Sequence, residues 1–462
     1  LLLPAVFWTI LPKHQPYADK KGVAGWILFD AAMQPWFTLV TTFVFGPFVV
    51  SALASNPAEG QALWGYATGF AGLIIALCAP LLGAIADASG PRKPWIVGLG
   101  AVMAVCAIGL WFAEPGLPYA LMLALVLFAV GTVAAEMAAV FNNAMMPSLV
   151  PLQQLGRLSS YGWASGYFAA ILTILIAIGL MVGSPVTGRT ILGVEPLFGL
   201  DPALREGDRA VGPFTALWFA VLVLPMLMFT PDAKRTAPIG GAVRHGLSDL
   251  RAGLQALRSD RSLLTFLVAH MIYADGLVAL FAFGGVYGTG VFGWSITEVG
   301  LFGILLTVTG FLGALLGGPL EDRFGAKPVI LVALCVLTLA SLAVVSLSAE
   351  RVFFLVPVVA EEGLFATLPE QLYLVLGGLM GAAAGPLQAS SRALLARLAP
   401  AEARARTFGL FALSGKVTSF VGPWAVATIT ALTLDQRAGI SVLVLFFVVG
   451  GLILVRVTVP KG

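Results

Sequence analysis

Asp30, Glu136, Asp275, His270 and Lys416 lie inside long runs of apolar residues. At bilayer depth an ionisable side chain costs several kcal/mol; insertion scales give about 2.5–3.5 kcal/mol for Asp or Lys, unless water or a partner receives it. Residues kept at that cost are candidates for holding a polar solute or carrying protons. Glu136 is near the middle of its run, with Asn143 seven and Pro147 eleven residues on, along one helical face. A carboxyl so placed suits a proton taken up and released during a cycle; the plainer alternative is a structural carboxylate paired with an arginine. Asp30 heads a polar stripe of Gln34, Thr38 and Thr41, all within about 80° of one another at helical spacing. Pro35 lacks an amide hydrogen and predicts a kink there, with Trp36 and Phe37 placed to wall a pocket. Asp30 is only about two turns from Gly22, so it also fits a site near the mouth, solvated or locking the fold. His270 and Tyr273 are helical neighbours, but Asp275 is turned about 140° from His270, so a straight helix cannot aim all three at one cavity. His270 alone also fits a hydrogen-bonded packing role. Lys416 wants a carboxylate, from Glu136, Asp30, Asp275 or a solute, unless it snorkels to the surface. Gln388 and Arg392 are one turn apart, and Arg392, near the end of its run, is read as gating.

The elements that must hold these groups are membrane spans. The 462 residues are 59% hydrophobic and 11% charged, with a mean hydropathy of +0.96. A soluble chain carries about 25% charged residues. Apolar runs of about 20 residues, the length of a spanning helix, occur at 23–53, 62–86, 95–113, 118–146, 160–182, 213–230, 262–292, 297–320, 327–349, 371–398, 406–433 and 438–457. Twelve spans put both termini on one side. Of 26 Lys and Arg, 20 fall on that side, five on the other and Lys416 inside a span, which predicts cytoplasmic termini in an inner (cytoplasmic) membrane if the source is bacterial. The expected organisation is an N-terminal segment 1–22, a six-helix bundle 23–231, a linker 232–261 and a second six-helix bundle 262–462. Leu247, Leu250, Leu254 and Leu257 predict a surface amphipathic helix in the linker. The loop 183–212, rich in Gly and Pro, reads as irregular. The apolar start, Leu1 to Ile10, has no basic region or cleavage site and does not read as a signal peptide. The three cysteines lie within apolar runs and form no disulfide or metal spacing.

A loop motif occurs twice: Gly83, Asp87, Gly90, Arg92 and Lys93, then Gly318, Asp322, Gly325 and Lys327. Asp30 and Asp275 correspond in the same way. Two copies in like orientation imply two homologous bundles related by an axis along the membrane normal, making an all-α membrane protein of twelve transmembrane helices. The loops read as gate parts: Gly83 permits close helix approach, Asp87 and Asp322 suit a facing helix N-terminus, and Arg92, Lys93, Arg323 and Lys327 pair locally or meet anionic headgroups.

These loops resemble the signature loop G-x-x-x-D-x-x-G-x-[RK]-[RK] of the major facilitator superfamily. Three stretches are similar to the vacuole-effluxer family, the vacuolar amino-acid exporters linked to autophagy and their bacterial relatives: Leu28–Phe37, Gly385–Arg392 and Phe408–Lys416. Ala31 stands where that family usually has Trp. The resemblance implies a secondary transporter of the major facilitator fold for a small polar organic solute, such as an amino acid or a derivative, exported by alternating access. The superfamily's antiporter Gly-Pro run is not found between Gly162 and Gly183.

The chain has no phosphate-binding Walker loop, metal cluster or nucleophile elbow, so neither an enzyme nor direct ATP coupling is expected, and no cofactor. The expected partners are the solute, protons and membrane lipids, with no nucleic acid, for a monomer. An uncoupled uniporter or lipid flippase of the same fold is the alternative, and a transport-dead sensor a third that the buried charges argue against.

Overall fold

The computed structural model describes residues 18–55, 63–64, 67–75, 77–78, 82, 90–151, 154–184, 187–233, 260–292, 294, 296–358, 363–399, 407–408, 410–411, 414–415, 418–433 and 435–459. The linker helix, Lys416, Gly83 and Asp87 lie outside the described residues. The described residues are mostly helical: α1 Lys20–Pro35, α2 Lys93–Gly109, α3 Ala120–Met145, α4 Leu155–Ile176, α5 Glu206–Leu222, α6 Arg261–Phe292, α7 Ile296–Phe324, α8 Ala326–Val345, α9 Leu368–Leu398, α10 Val421–Thr433 and α11 Gln436–Val455. Among the described residues, ten helices are long and apolar enough to cross a membrane. The expected spans 62–86 and 406–433 fall partly outside the described set; residues 67–75 and α10 are their helical remnants.

Helix α1 starts where Asp19 accepts from Gly22 N (2.7 Å), satisfying an amide that has no partner in the first turn. Pro35 acts as its chemistry requires. It has no N–H to give Ala31 O, and the indole Nε1 of Trp218 in α5 donates to that carbonyl instead (3.0 Å). Beyond Pro35 the helix widens to π geometry over Trp36–Phe43. There the Thr41 and Thr42 hydroxyls donate to carbonyls five residues back, Trp36 O (3.0 Å) and Phe37 O (2.9 Å).

Both termini of the described chain lie at one end of the molecule, the base. Ala18 N donates to Leu149 O (3.0 Å), and Ser262 Oγ to Thr458 O (2.5 Å). Two lysines mark the internal repeat here. Lys93 Nζ, opening α2, donates to Leu227 O (2.8 Å); Lys327 Nζ, opening α8, donates to Val455 O (2.7 Å) and Val457 O (2.8 Å). Each ammonium sits at the negative end of the last helix of its own bundle. Lys327→Met is expected to cost about 1 kcal/mol by that rule, seen as a lower thermal midpoint in detergent.

The opposite end, the rim, holds the irregular 187–205 segment, where Phe198 and Arg205 take positive φ. It also holds a feature that apolar counting does not see, a two-stranded hairpin, β1 Arg351–Val352 with β2 Val356–Pro357.

Candidate functional site

A cavity of about 450 Å³ opens between the two bundles. Its walls follow helical periodicity. From α3 come Glu136, Ala139, Val140 and Asn143; from α6 come His270, Tyr273, Ala274, Leu277, Val278 and Phe281. Spacings of three, four and seven residues put each set on one face. Phe29, Asp30, Met33, Gln34 and Phe37 line it from α1, and Leu387, Gln388, Ser391 and Arg392 from α9. Trp163, Gly166, Phe408, Phe411 and Gly415 close the remainder. The polar groups gather on α1, α3 and α9, while the cavity-lining residues of α6 beyond Tyr273 are apolar. Such a chamber fits a solute with a polar head and an apolar body.

Arg392 is the junction of the site. It belongs to the second bundle, is 5% exposed, and reaches into the first. Its Nη1 donates to Asp30 Oδ2 (3.0 Å) and Asn143 Oδ1 (2.8 Å); its Nε donates to Ser159 Oγ (2.9 Å) and its Nη2 to Ser159 O (2.8 Å). The indoles of Trp26 and Trp163 flank the guanidinium at 5.1 and 5.8 Å. Gly162 lets this assembly close: a Cβ there would lie 2.5 Å from Asp30 Oδ2 and 2.9 Å from Arg392 Nη2. Two more polar links join α4 to α9. Ser159 Oγ donates to Ala389 O (2.8 Å), and Gln388 Nε2 to the Tyr167 hydroxyl (3.1 Å).

Below the cavity the bundles meet again at the base. Asp322 at the end of α7 pairs with Arg157 in the first turn of α4 (2.8 Å). Next to it the fully buried Glu321 pairs with Arg397 of α9 (3.2 Å), and Gly156 presses on the Glu321 carboxylate. At the rim, Phe43 lies against Gly303 of α7, 2.9 Å from where its Cβ would be.

The structure brings together Asp30, Gln34, Glu136, Asn143, His270, Tyr273, Gln388 and Arg392. His270 Nδ1 and Ser414 Oγ are 2.9 Å apart, and the imidazole stacks on Phe411 at 3.9 Å. The Tyr273 and Ser391 hydroxyls are 2.7 Å apart. Several expectations are corrected. Trp36 does not wall the cavity: it is fully buried, donates to Thr132 Oγ1 (3.2 Å) and packs on Gly131, because a residue two positions past Gln34 points to the opposite side of the helix. Thr38 is also buried behind the wall, where it accepts from Gln34 Nε2 (2.9 Å). Asp275, the repeat counterpart of Asp30, is 2% exposed and faces away from the cavity; its backbone lies against Gly422 of α10. Of the expected gate residues, Arg92 is tied within its own bundle, where Asp232 accepts from Arg92 N (2.9 Å) and Lys93 N (2.9 Å). Arg323 is exposed over the ring of Phe324. Sequence reasoning missed Ser159, Trp163 and Tyr167 of α4. Their spacing of four was readable as a stripe, but nothing in it named a partner.

Comparison with known proteins agrees with this architecture. Over 432 residues, covering 93% of each chain, the sequence is 24% identical to an uncharacterized MFS-type transporter, YxiO, of Bacillus subtilis (strain 168). It is 27% identical over 333 residues to autophagy-related protein 22 of Cryptococcus neoformans, covering 66% of this chain and about half (51%) of that relative. Among solved structures, it superposes on the human organic anion transporter MFSD10 with a TM-score of 0.69 at 16% identity, covering 96% of this chain and 100% of that one. The major facilitator transporter FucP in its outward conformation gives 0.68 at 15% identity, covering 95% and 98%. At such identities the structures speak for the fold alone: an all-α membrane protein of the major facilitator type. Residues 59–462 match the family described as vacuole effluxer Atg22 like, and with most of its length so matched the chain belongs to that family of membrane transporters.

Proposed function

We propose that this chain is a secondary active transporter that moves a small polar organic solute, an amino acid or a derivative, by alternating access driven by a proton gradient. The observation that carries this reading is the central cavity: Asp30 and Glu136 line it, and contacts across the bundles close it below at Arg392 and at the Arg157–Asp322 pair. Carboxylates in such a chamber can bind proton and solute with linked affinities, which is the requirement for coupling. The base, with its excess of Lys and Arg, faces the cytoplasm, and each protein works as a monomer.

The test is uptake of a panel of amino acids and related solutes into proteoliposomes, with and without an imposed pH gradient. Gradient-dependent movement of one solute class supports the reading. Movement that ignores the gradient makes the protein an uncoupled uniporter, and absence of movement for the whole panel defeats it. Asp322→Asn is expected to separate gate from cavity. Losing a partly buried ion pair of about 1 kcal/mol alters transport rate by about fivefold. Solute affinity, set in the cavity, stays unchanged in equilibrium binding.

A further inference from the structure

The donors of Arg392 fall on two edges of the guanidinium. One edge is fixed: Nε and Nη2 are both held by Ser159, through its hydroxyl and its carbonyl, deep in the α4–α9 contact. The other edge is Nη1, which serves Asp30 and Asn143, and both of these side chains line the cavity. The two indoles hold the plane between these edges. A guanidinium pinned along one side presents the other as a ready-made carboxylate receptor. In this structure that receptor is occupied by the protein's own Asp30 carboxylate, from the opposite bundle.

Resting on the transporter reading above, we infer that Arg392 is an anion site shared between cargo and latch. A carboxylate of the solute displaces Asp30 from Nη1, so that loading the cavity releases the ion pair holding the bundles together at its floor. The solute class is thereby narrowed to compounds bearing a carboxylate or an equivalent anion beside an apolar body. Asp30 and the solute compete for one atom, so a solute gains affinity when Asp30 loses its charge. A purely structural latch behaves otherwise: breaking it from either side has the same consequence.

Equilibrium binding to the purified full chain in detergent distinguishes the two. The probes are 3-phenylpropionate, L-phenylalanine and 2-phenylethylamine, which share an apolar body and differ in the charged head. With Asp30→Asn, the Kd of 3-phenylpropionate is expected to fall about tenfold, the factor corresponding to 1.4 kcal/mol of relieved competition. With Arg392→Gln it is expected to rise about 30-fold or more, as for truncation of one partner in a buried charge pair. The double variant Asp30→Asn/Arg392→Gln leaves no buried charge unpaired and so guards against simple misfolding. It is expected to bind neither carboxylate, while 2-phenylethylamine gains nothing from Asp30→Asn. The assignment is overturned if Asp30→Asn and Arg392→Gln move the carboxylate affinities in the same direction, or if the double variant binds like wild type. Failure of both carboxylates to bind Asp30→Asn overturns it too, since a freed Arg392 would then be no anion site. Gradient-driven movement of a neutral or cationic solute in the transport panel leaves the transporter reading intact whichever way these affinities fall.

Discussion

Glu136→Gln is expected to abolish proton-driven accumulation of solute while leaving the cavity's shape intact. One proton moving down a gradient of one pH unit supplies about 1.4 kcal/mol, enough for about tenfold accumulation of a neutral solute. Glu136 lies on the α3 face that lines the chamber, in line with Ala139, Val140 and Asn143. Glutamine keeps the volume and the hydrogen-bonding oxygen but cannot titrate, so the link between proton and solute is cut. Proteoliposomes carrying the variant should therefore equilibrate solute down its own gradient and stop at an inside-to-outside ratio near one. Accumulation at the wild-type ratio would remove Glu136 from the coupling scheme.

Gly313→Leu is expected to have the largest effect on folding. Helices α7 and α9 touch backbone to backbone, and Gly310, Gly313 and Gly317 make that possible. A Cβ at Gly385 would sit 2.6 Å from Gly310 O, and one at Gly317 would sit 3.1 Å from the Pro386 ring. At Gly313 a Cβ would run into Ala382 O. That carbonyl is the one Pro386 deprives of its helical donor, so the close approach of α7 covers an exposed polar group as well as packing it. None of these three contacts is with a flexible side chain, so nothing yields locally. Overpacking of this kind costs about 1–3 kcal/mol per small intrusion, and a leucine intrudes much further than a methyl. The expected result is loss of the monodisperse peak in size-exclusion chromatography for Gly313→Leu and a lowered thermal midpoint for Gly313→Ala. Gly98, where a Cβ meets nothing within 4 Å, supplies the control: Gly98→Ala should leave the midpoint unchanged or raise it, since alanine is the better helix former. Equal tolerance at both sites would contradict the packing account.

The fold was readable from the sequence because its signals are long and redundant. Apolar runs of spanning length and the doubled loop motif each point to a repeated membrane fold without help from the other. Among the site residues, Glu136 with Asn143, and His270 with Tyr273, could be paired because both members share a helix and periodicity fixes their relative direction. The misreadings have equally local causes. Trp36 is two positions past Gln34 and so points to the far side of the helix, a direction that spacing alone gives. The π turns beyond Pro35 shift the residues after it, and the extrapolated stripe fails at Thr38, although Phe37 still lines the cavity. Asp275 was raised by its correspondence to Asp30, but a repeat conserves backbone position and not what faces it: Asp30 meets an arginine across the cavity, whereas Asp275 is buried against α10. Arg392 looked like a residue near a helix end. Its burial depends on α4 bringing Ser159 and Gly162 to it from more than 200 positions away, a juxtaposition that no spacing within α9 contains.

The central claim is that the two bundles rock about a shared chamber, opening base and rim in turn. Spin labels at Lys21 and Arg323 report on the base, and labels at Leu117 and Leu355 on the rim, all four being exposed positions on opposite bundles. Pulsed electron–electron distance measurements on the labelled protein in lipid nanodiscs at high and low pH test the claim directly. The account predicts two distance populations at each end that exchange in opposite senses, the base opening as the rim closes. A single, pH-independent distance at both ends, or ends that open and close together, would contradict it.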